Sequence, residues 1–162
     1  MRIPILICAA LLLAACGDEP SAPTPVVPQA VATKAASPWH TVFAEAAAES
    51  RASGKPILAD FQGSDWCPSC KVLHKKLLDT PEFLAWATTK VVLLDVDLPN
   101  DTPQPKEVRA VNEQLVQRHQ VAEFPALLLL DADGKKIAQL PIDFDHLDPA
   151  PWIAATEAVM KK

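Results

Sequence analysis

Residues 64–71 read Ser64-Asp65-Trp66-Cys67-Pro68-Ser69-Cys70-Lys71, with two cysteines spaced by about one helical turn. The stretch comes directly after residues 57–61, a short apolar segment that is typical of a β-strand. Gly63 and Ser64 interrupt that pattern, and from Cys70 onward the apolar residues recur at helical spacing. The two cysteines are therefore predicted to lie at a junction between a strand and a helix.

Cys67 would occupy the first turn of that helix. The free backbone N–H groups there, and the positive end of the helix dipole, stabilise a thiolate and lower its pKa. Pro68 fits the same turn because an early proline has no helical hydrogen bond to lose. We interpret Cys67 and Cys70 as a redox-active pair, with Cys67 the more exposed sulfur.

The chain has 162 residues and a formal net charge of -5. This length suits one domain with additional segments, and the acidic balance offers no broad basic surface. Nucleic acid is therefore not an expected partner.

The N-terminus has the layout of an export signal. Arg2 precedes an apolar run at residues 3–15 that is too short to span a bilayer, so residues 1–15 are predicted to be removed. The motif Leu13-Ala14-Ala15-Cys16 resembles the bacterial lipobox, whose cysteine is lipidated and becomes the mature N-terminus. Lipidation of Cys16 would anchor the protein to a membrane, facing the periplasm of the bacterial cell envelope. The alternative is an ordinary signal peptide that is cleaved nearby.

Residues 16–37 are rich in proline and alanine and show no amphipathic period. We interpret them as a disordered tether that could extend up to roughly 60 Å. The folded domain is then predicted to comprise residues 38–162.

The cysteine count supports a redox interpretation. Cys8 lies in the predicted signal and Cys16 would be blocked by lipid, so only Cys67 and Cys70 remain as thiols. An exported compartment permits disulfides, but a bridge between these two closes so small a loop that it stabilises the fold weakly. A purely structural disulfide is therefore a poor explanation for the pair.

Ser37 with Pro38 is typical of a helix start, and the apolar spacing from Trp39 predicts an N-terminal helix that ends at Gly54. The helix that carries the cysteines is predicted to run to about Asp79. A short helix from residue 81 and a second strand at residues 91–96 follow.

The remaining pattern predicts a helix around residues 108–116, strands at residues 126–130 and 136–140, and a terminal helix. The turn Asp131-Ala132-Asp133-Gly134 joins the last two strands, which should therefore be antiparallel. This order predicts an α/β fold, a mixed sheet of about four strands covered by helices.

From about residue 39 to residue 162 the chain resembles the thioredoxin family. The resemblance lies in the strand at residues 57–61, the motif Trp66-Cys67-Pro68-Ser69-Cys70-Lys71, the pair Phe124-Pro125 and the final hairpin. It is greatest to thioredoxin-like envelope lipoproteins that read Gly-Ser-Asp-Trp-Cys, which are related to the periplasmic C-terminal domain of electron-relay disulfide reductases. The resemblance implies a thioredoxin fold with an extra N-terminal helix, and a cis bond before Pro125.

Thiol–disulfide exchange is the chemistry that this motif favours. Cys67 would attack a substrate disulfide as a thiolate, and Cys70 would resolve the mixed disulfide. By family resemblance Asp60 points inward and accepts the proton of Cys70; the alternative is a surface aspartate at a strand edge.

Trp66, Phe124 and Pro125 are the residues expected to bind substrate, through backbone pairing with an extended segment. Trp66 and Phe124 could equally be core residues. Asp65 is expected to oppose the Cys67 thiolate through its charge, whereas Lys71 would favour it.

The resemblance implies a protein-disulfide oxidoreductase without a cofactor that acts as a monomer. Its substrates would be exported proteins with disulfides, and its electron donor a membrane electron-relay reductase. Reduction by way of a membrane electron relay is the first expectation for the direction, isomerisation or the reduction of apocytochromes the second, and net oxidation the third. The chain departs from the family pattern at Leu93, Glu123 and Ala126, which makes substrate choice harder to transfer.

A rival hypothesis is a site for a soft metal, copper or zinc, formed by Cys67, Cys70 and His74. Zinc would need four ligands, and only His74 lies near the pair in sequence. His74 is otherwise expected to be a solvated helix residue. A binding domain without redox activity is disfavoured because serine would pack as well as cysteine at both positions.

Overall fold

The structure is a computed structural model, and it describes residues 37–161. The described residues form, in chain order, β1 (Trp39–His40), α1 (Phe43–Ser53), β2 (Ile57–Gln62), α2 (Pro68–Leu73), a π-helical turn (His74–Leu78), α3 (Pro81–Lys90), β3 (Val92–Asp97), α4 (Lys106–His119), β4 (Ala126–Leu130), β5 (Lys136–Leu140) and α5 (Pro149–Met160). The predicted signal segment, Cys16 and nearly all of the predicted tether lie outside the described residues. None of the described helices is both long and apolar enough to cross a bilayer.

The strands form one mixed sheet in the order β1-β3-β2-β4-β5. β2 pairs with β3 in parallel and with β4 in antiparallel orientation, and β4 and β5 form the antiparallel hairpin that the turn motif predicts. The parallel crossover between β2 and β3 consists of α2, the π-helical turn and α3. The predicted α/β thioredoxin-like fold is confirmed, with a fifth strand in the described sheet.

That fifth strand corrects the expected start of the N-terminal helix. Trp39 and His40 form β1, which pairs in parallel with Leu93 and Leu94 of β3, and α1 begins only at Phe43. The edge of β3 offers backbone partners that a local helix pattern does not reveal. The predicted end of the helix is confirmed, since Gly54 has φ 71° and donates its N–H to the carbonyl of Ser50.

The helix that carries the cysteines also differs from expectation. α2 ends at Leu73, and the chain continues as a π-helical turn in which the Asp79 N–H donates to the His74 carbonyl at 2.9 Å. This wider turn, with hydrogen bonds between residues five apart, is rare and frequent at functional sites.

The two faces of β2 pack into two different cores because successive side chains of a strand point to opposite sides. Ile57, Ala59 and Phe61 join a hydrophobic cluster together with residues of α1 and α4. Leu58 joins the other cluster, against the redox helix and α5. On that second face the strand continues with Asp60 and Gln62, both buried, so the buried surface becomes polar toward the cysteine pair.

Candidate active site

Cys67 and Cys70 form a disulfide at the start of α2, with the sulfurs 2.04 Å apart and the Cα atoms 5.3 Å apart. Cys67 has an extended backbone and is the N-cap of the helix, and its sulfur accepts the N–H of Cys70 at 3.2 Å. A thiolate at this atom would accept the same bond, which favours the charged form. Cys67 keeps 3 % of its surface exposed and Cys70 none. Cys67 is therefore the more exposed of the two, as expected, although both residues are buried.

Hydrogen bonds fix both ends of the loop between β2 and α2. The N–H of Cys67 donates to the Gly63 carbonyl at 2.9 Å. Ser64 donates both its N–H and its hydroxyl to the carboxylate of Asp97, at 2.8 and 2.6 Å, at the end of the neighbouring strand. Local hydrogen bonds thus hold the cysteine pair at the carboxyl end of β2.

The charge of Asp65 was expected to act on the Cys67 thiolate, but its carboxylate contacts the loop after β3. Its carboxylate accepts the backbone N–H groups of Asn100, Asp101 and Thr102 at 2.8 to 3.0 Å. These hydrogen bonds, first that of Asn100, hold the pKa of Asp65 well below its usual range. Its negative charge is thereby engaged by the loop after β3. Lys71, expected to favour the thiolate, donates instead to the Asp65 carbonyl at 3.0 Å.

The structure brings Phe124 and Trp66 together beside the disulfide. Their ring centroids lie 5.8 Å apart, and Trp66 is 44 % exposed, so it is not a core residue. Ser69 bridges the two sides of the site, because its hydroxyl lies 3.5 Å from the Cys67 sulfur and 3.5 Å from the Phe124 carbonyl oxygen. The Phe124–Pro125 bond is cis, as the resemblance implies.

Asp60 is a buried residue and not a strand-edge aspartate. Its Oδ2 lies 2.7 Å from Nε2 of His74, and its buried Oδ1 has no hydrogen-bond partner within residues 37–161. Burial raises the pKa of Asp60, and the hydrogen bond and charge of His74 offset this only in part. A carboxylate with a raised pKa and a free oxygen can accept a proton.

His74 is the residue whose role sequence reasoning missed. It is half-buried and lies between two carboxylates, with Nε2 toward Asp60 and Nδ1 3.2 Å from Asp79. Burial favours the neutral ring, but the hydrogen bonds and charges of Asp60 and Asp79 outweigh it and raise the pKa of His74 to about 9. The available signal was the placement of His74 one helical turn after Cys70, on the side that faces the preceding strand.

The rival metal hypothesis finds little support in this geometry. Both sulfurs are bonded to each other, and both ring nitrogens of His74 face carboxylate oxygens. Among the residues that the structure describes, no three His, Cys, Asp or Glu side chains are grouped to hold a metal ion.

A second, half-buried carboxyl group lies beside Asp60. Asp95 pairs directly with Asp60 across β2 and β3, and its Oδ1 accepts a hydrogen bond from Gln62 at 2.8 Å. Burial, with repulsion from Asp60, raises the pKa of Asp95 to about 6. The sequence signal was a polar residue that interrupts an otherwise apolar strand.

A disulfide between two cysteines three residues apart at a helix start, on a thioredoxin-like sheet, defines the class as a thiol–disulfide oxidoreductase. The model of the thioredoxin-like domain family matches residues 43–142, and the chain belongs to this family.

Two curated relatives and one solved structure describe the similarity. The chain is 32 % identical over 123 residues to the disulfide bond reductase DsbH of Chlamydia pneumoniae, covering 76 % of this chain and 72 % of that protein. It is 31 % identical over 142 residues to the thiol:disulfide interchange protein DsbD 2 of Pseudomonas aeruginosa, covering 79 % of this chain but only 22 % of the relative. A solved DsbH oxidoreductase superposes with a TM-score of 0.69 at 32 % identity, over 76 % of this chain and 83 % of that one.

Proposed function

We propose that this protein reduces disulfide bonds in exported proteins of the bacterial envelope through the Cys67/Cys70 dithiol. The Cys67–Cys70 disulfide at the start of α2 is the observation that carries the proposal. The similarity to a protein named disulfide bond reductase favours reduction over oxidation.

In the first step the Cys67 thiolate attacks one sulfur of the substrate disulfide. A mixed disulfide forms, and the other substrate sulfur leaves as a thiolate and takes up a proton. Cys70 then loses its proton and attacks the Cys67 sulfur, which releases the second substrate thiol and leaves Cys67 and Cys70 oxidised. The substrate gains two electrons, and a dithiol donor must return two electrons to the pair before the next cycle.

Asp60 is the proposed acceptor of the Cys70 proton. Its complete burial, its raised pKa and an Oδ1 that finds no hydrogen-bond partner in the described part of the chain support that role. Trp66, Phe124 and Pro125 are the proposed substrate platform, because the exposed Trp66 ring packs against Phe124 and the Phe124 carbonyl is linked to Cys67 through Ser69.

The proposed location is the periplasmic side of a membrane, with Cys16 as the lipid anchor and residues 16–37 as the tether. A membrane electron-relay reductase is the proposed donor. The similarity to DsbD 2, whose name denotes thiol:disulfide interchange, supports a relay partner of this chemistry.

Insulin reduction tests the proposal directly. Cys67→Ser should lower the rate to the uncatalysed background, whereas Cys70→Ser should trap mixed disulfides that identify the physiological substrates. Cys16→Ser is the matched control: it makes the same cysteine-to-serine change outside the redox pair, and it should leave insulin reduction unchanged while releasing the protein from the membrane fraction. Full turnover by Cys67→Ser or Cys70→Ser would contradict the proposal.

A further inference from the structure

A row of three side chains among the described residues leads from the buried side of the site to solvent. Asp60 is 1 % exposed in its side chain, His74 is 21 % exposed and Asp79 is 61 % exposed. The ring nitrogens of His74 lie 2.7 Å from Asp60 and 3.2 Å from Asp79. The row therefore leads from a fully enclosed carboxylate to one that water can reach.

The π-helical turn creates this row. Its backbone hydrogen bond joins His74 to Asp79, five residues further on, so that the two side chains meet. In a regular α-helix, residues three and four apart are the ones that face each other. The departure from α-helical geometry thus coincides with the contact that completes the row, as is frequent at functional sites.

Among the residues that the structure describes, Asp60 and Asp79 are the groups that form hydrogen bonds with the His74 ring. Asp95 and Asp97 of β3 lie on the same polar face as Asp60, and the Trp39 ring of β1 packs 6.0 Å from the His74 ring. Lys75 and Lys76, on its own turn, are exposed. A ring with a carboxylate oxygen at each nitrogen satisfies both contacts as the doubly protonated donor.

We propose that His74 carries the proton between buried Asp60 and solvent-facing Asp79 during the resolving step, a role that rests on the reductase function proposed above. His74 touches neither substrate nor sulfur and acts through Asp60, so it is a positioning residue. Asp60 itself has a side chain only 1 % exposed, so a proton that it accepts needs a neighbouring group to reach solvent.

The proton balance of the step is as follows. Cys70 gives its proton to Asp60 while its sulfur attacks Cys67, and the substrate sulfur leaves as a thiolate. Neutral Asp60 no longer holds the His74 ring doubly protonated, so the ring releases its Nδ1 proton toward Asp79 and water. The departing thiolate takes up one proton from water, and reduction of the pair by the donor reverses the path.

A rapid-quench experiment on the full chain tests this role. The reduced protein is mixed with a disulfide-bonded peptide, stopped with acid, alkylated and analysed by mass spectrometry for the mixed disulfide on Cys67. His74→Gln keeps a polar group but cannot be protonated. At pH 7 it should slow the resolving step at least tenfold, so that the mixed disulfide accumulates, while the initial attack by Cys67 keeps its wild-type rate.

The pH profile separates proton transfer from a structural effect. The defect of His74→Gln should shrink as the pH rises and Cys70 ionises without help. Asp79→Asn should show a smaller defect of the same kind, because water can replace an exposed carboxylate. His146→Gln is the matched control, since His146 also pairs with an aspartate, at 3.0 Å, but is 77 % exposed and far from the pair in sequence; it should behave as wild type.

Resolution at the wild-type rate by His74→Gln, or a defect of equal size at every pH, would overturn the inference. If His74→Gln does not fold, NMR titration of the His74 ring in wild type replaces it. The midpoint should differ between the oxidised and reduced protein, and identical midpoints would overturn the inference. A wild-type protein that leaves the peptide oxidised would contradict the proposed function itself.

Discussion

The two faces of β2 differ in polarity and in role. Ile57, Ala59 and Phe61 point into a predominantly apolar core, whereas the opposite face begins with Leu58 and continues with Asp60 and Gln62. Burying carboxyl groups is unfavourable unless they are paired or protonated. The difference teaches that the strand stabilises the fold through one face and places proton-accepting groups under the redox helix with the other.

The largest effect on stability should come from the apolar face. Phe61→Ala removes a side chain with no exposed surface and should lower the free energy of unfolding by about 3–5 kcal/mol. Denaturant unfolding measures this, with Ile137→Ala, at a site 55 % exposed, as a control that should change stability by less than about 0.5 kcal/mol. A loss as small as that of the control would show that the apolar face does not carry the fold.

Removing a carboxyl group from the polar face should change the reaction rate more than the stability. Asp60→Asn keeps the shape but removes the proton acceptor, so the resolving step should slow by about a hundredfold at pH 7. The free energy of unfolding should fall far less than in Phe61→Ala. Rapid-quench kinetics and denaturant unfolding of the same sample measure both quantities, and a stability loss equal to that of Phe61→Ala with an unchanged rate would erase the distinction between the faces.

Asp95 predicts how stability depends on pH. Burial raises its pKa from the ordinary 3.8 to about 6, so between these values the folded protein holds a proton that the unfolded chain releases. Its contribution therefore makes the free energy of unfolding fall as the pH rises from about 4 to about 6, by up to about 3 kcal/mol.

Asp95→Asn should flatten that fall, and thermal unfolding across the window measures it. Asp101→Asn, at an exposed position, is the control and should keep the wild-type slope. A fall in Asp95→Asn that is as steep as in wild type, or steeper, would contradict the assignment.

The smallest effect concerns the rim of the site. A Cβ at Gly63 would lie 2.2 Å from the Trp66 ring, so Gly63→Ala should displace the indole and break its 2.9 Å hydrogen bond to the Leu98 carbonyl. Hydrogen exchange of the Trp66 indole N–H should become faster. Gly54→Ala is the control, because it strains a backbone with φ 71° but meets no neighbour, and unchanged exchange in Gly63→Ala would refute the packing argument.

Local patterns predicted most of the fold. The strand before the cysteines, the end of α1 at Gly54 and the hairpin turn before Gly134 each depend on residues close in sequence. β1 was mispredicted as helix because a two-residue strand exists only through its pairing with β3.

The candidate site likewise combines features that the local sequence predicts with features that depend on distant residues. The cysteine pair was recognisable from spacing, and the inward direction of Asp60 from resemblance. The contact of Asp60 with His74 was not predictable, because it requires the register of β2 under the redox helix. The contact of His74 with Asp79 requires a π-helical turn that no periodicity indicates.

The reduction potential of the Cys67/Cys70 pair tests the central claim most directly. Equilibration of the full chain with defined ratios of reduced and oxidised glutathione or dithiothreitol, followed by alkylation, measures the fraction oxidised. The proposed reductase should have a potential near that of thioredoxin, about -270 mV. A potential near that of strong oxidases, about -120 mV, would contradict the account.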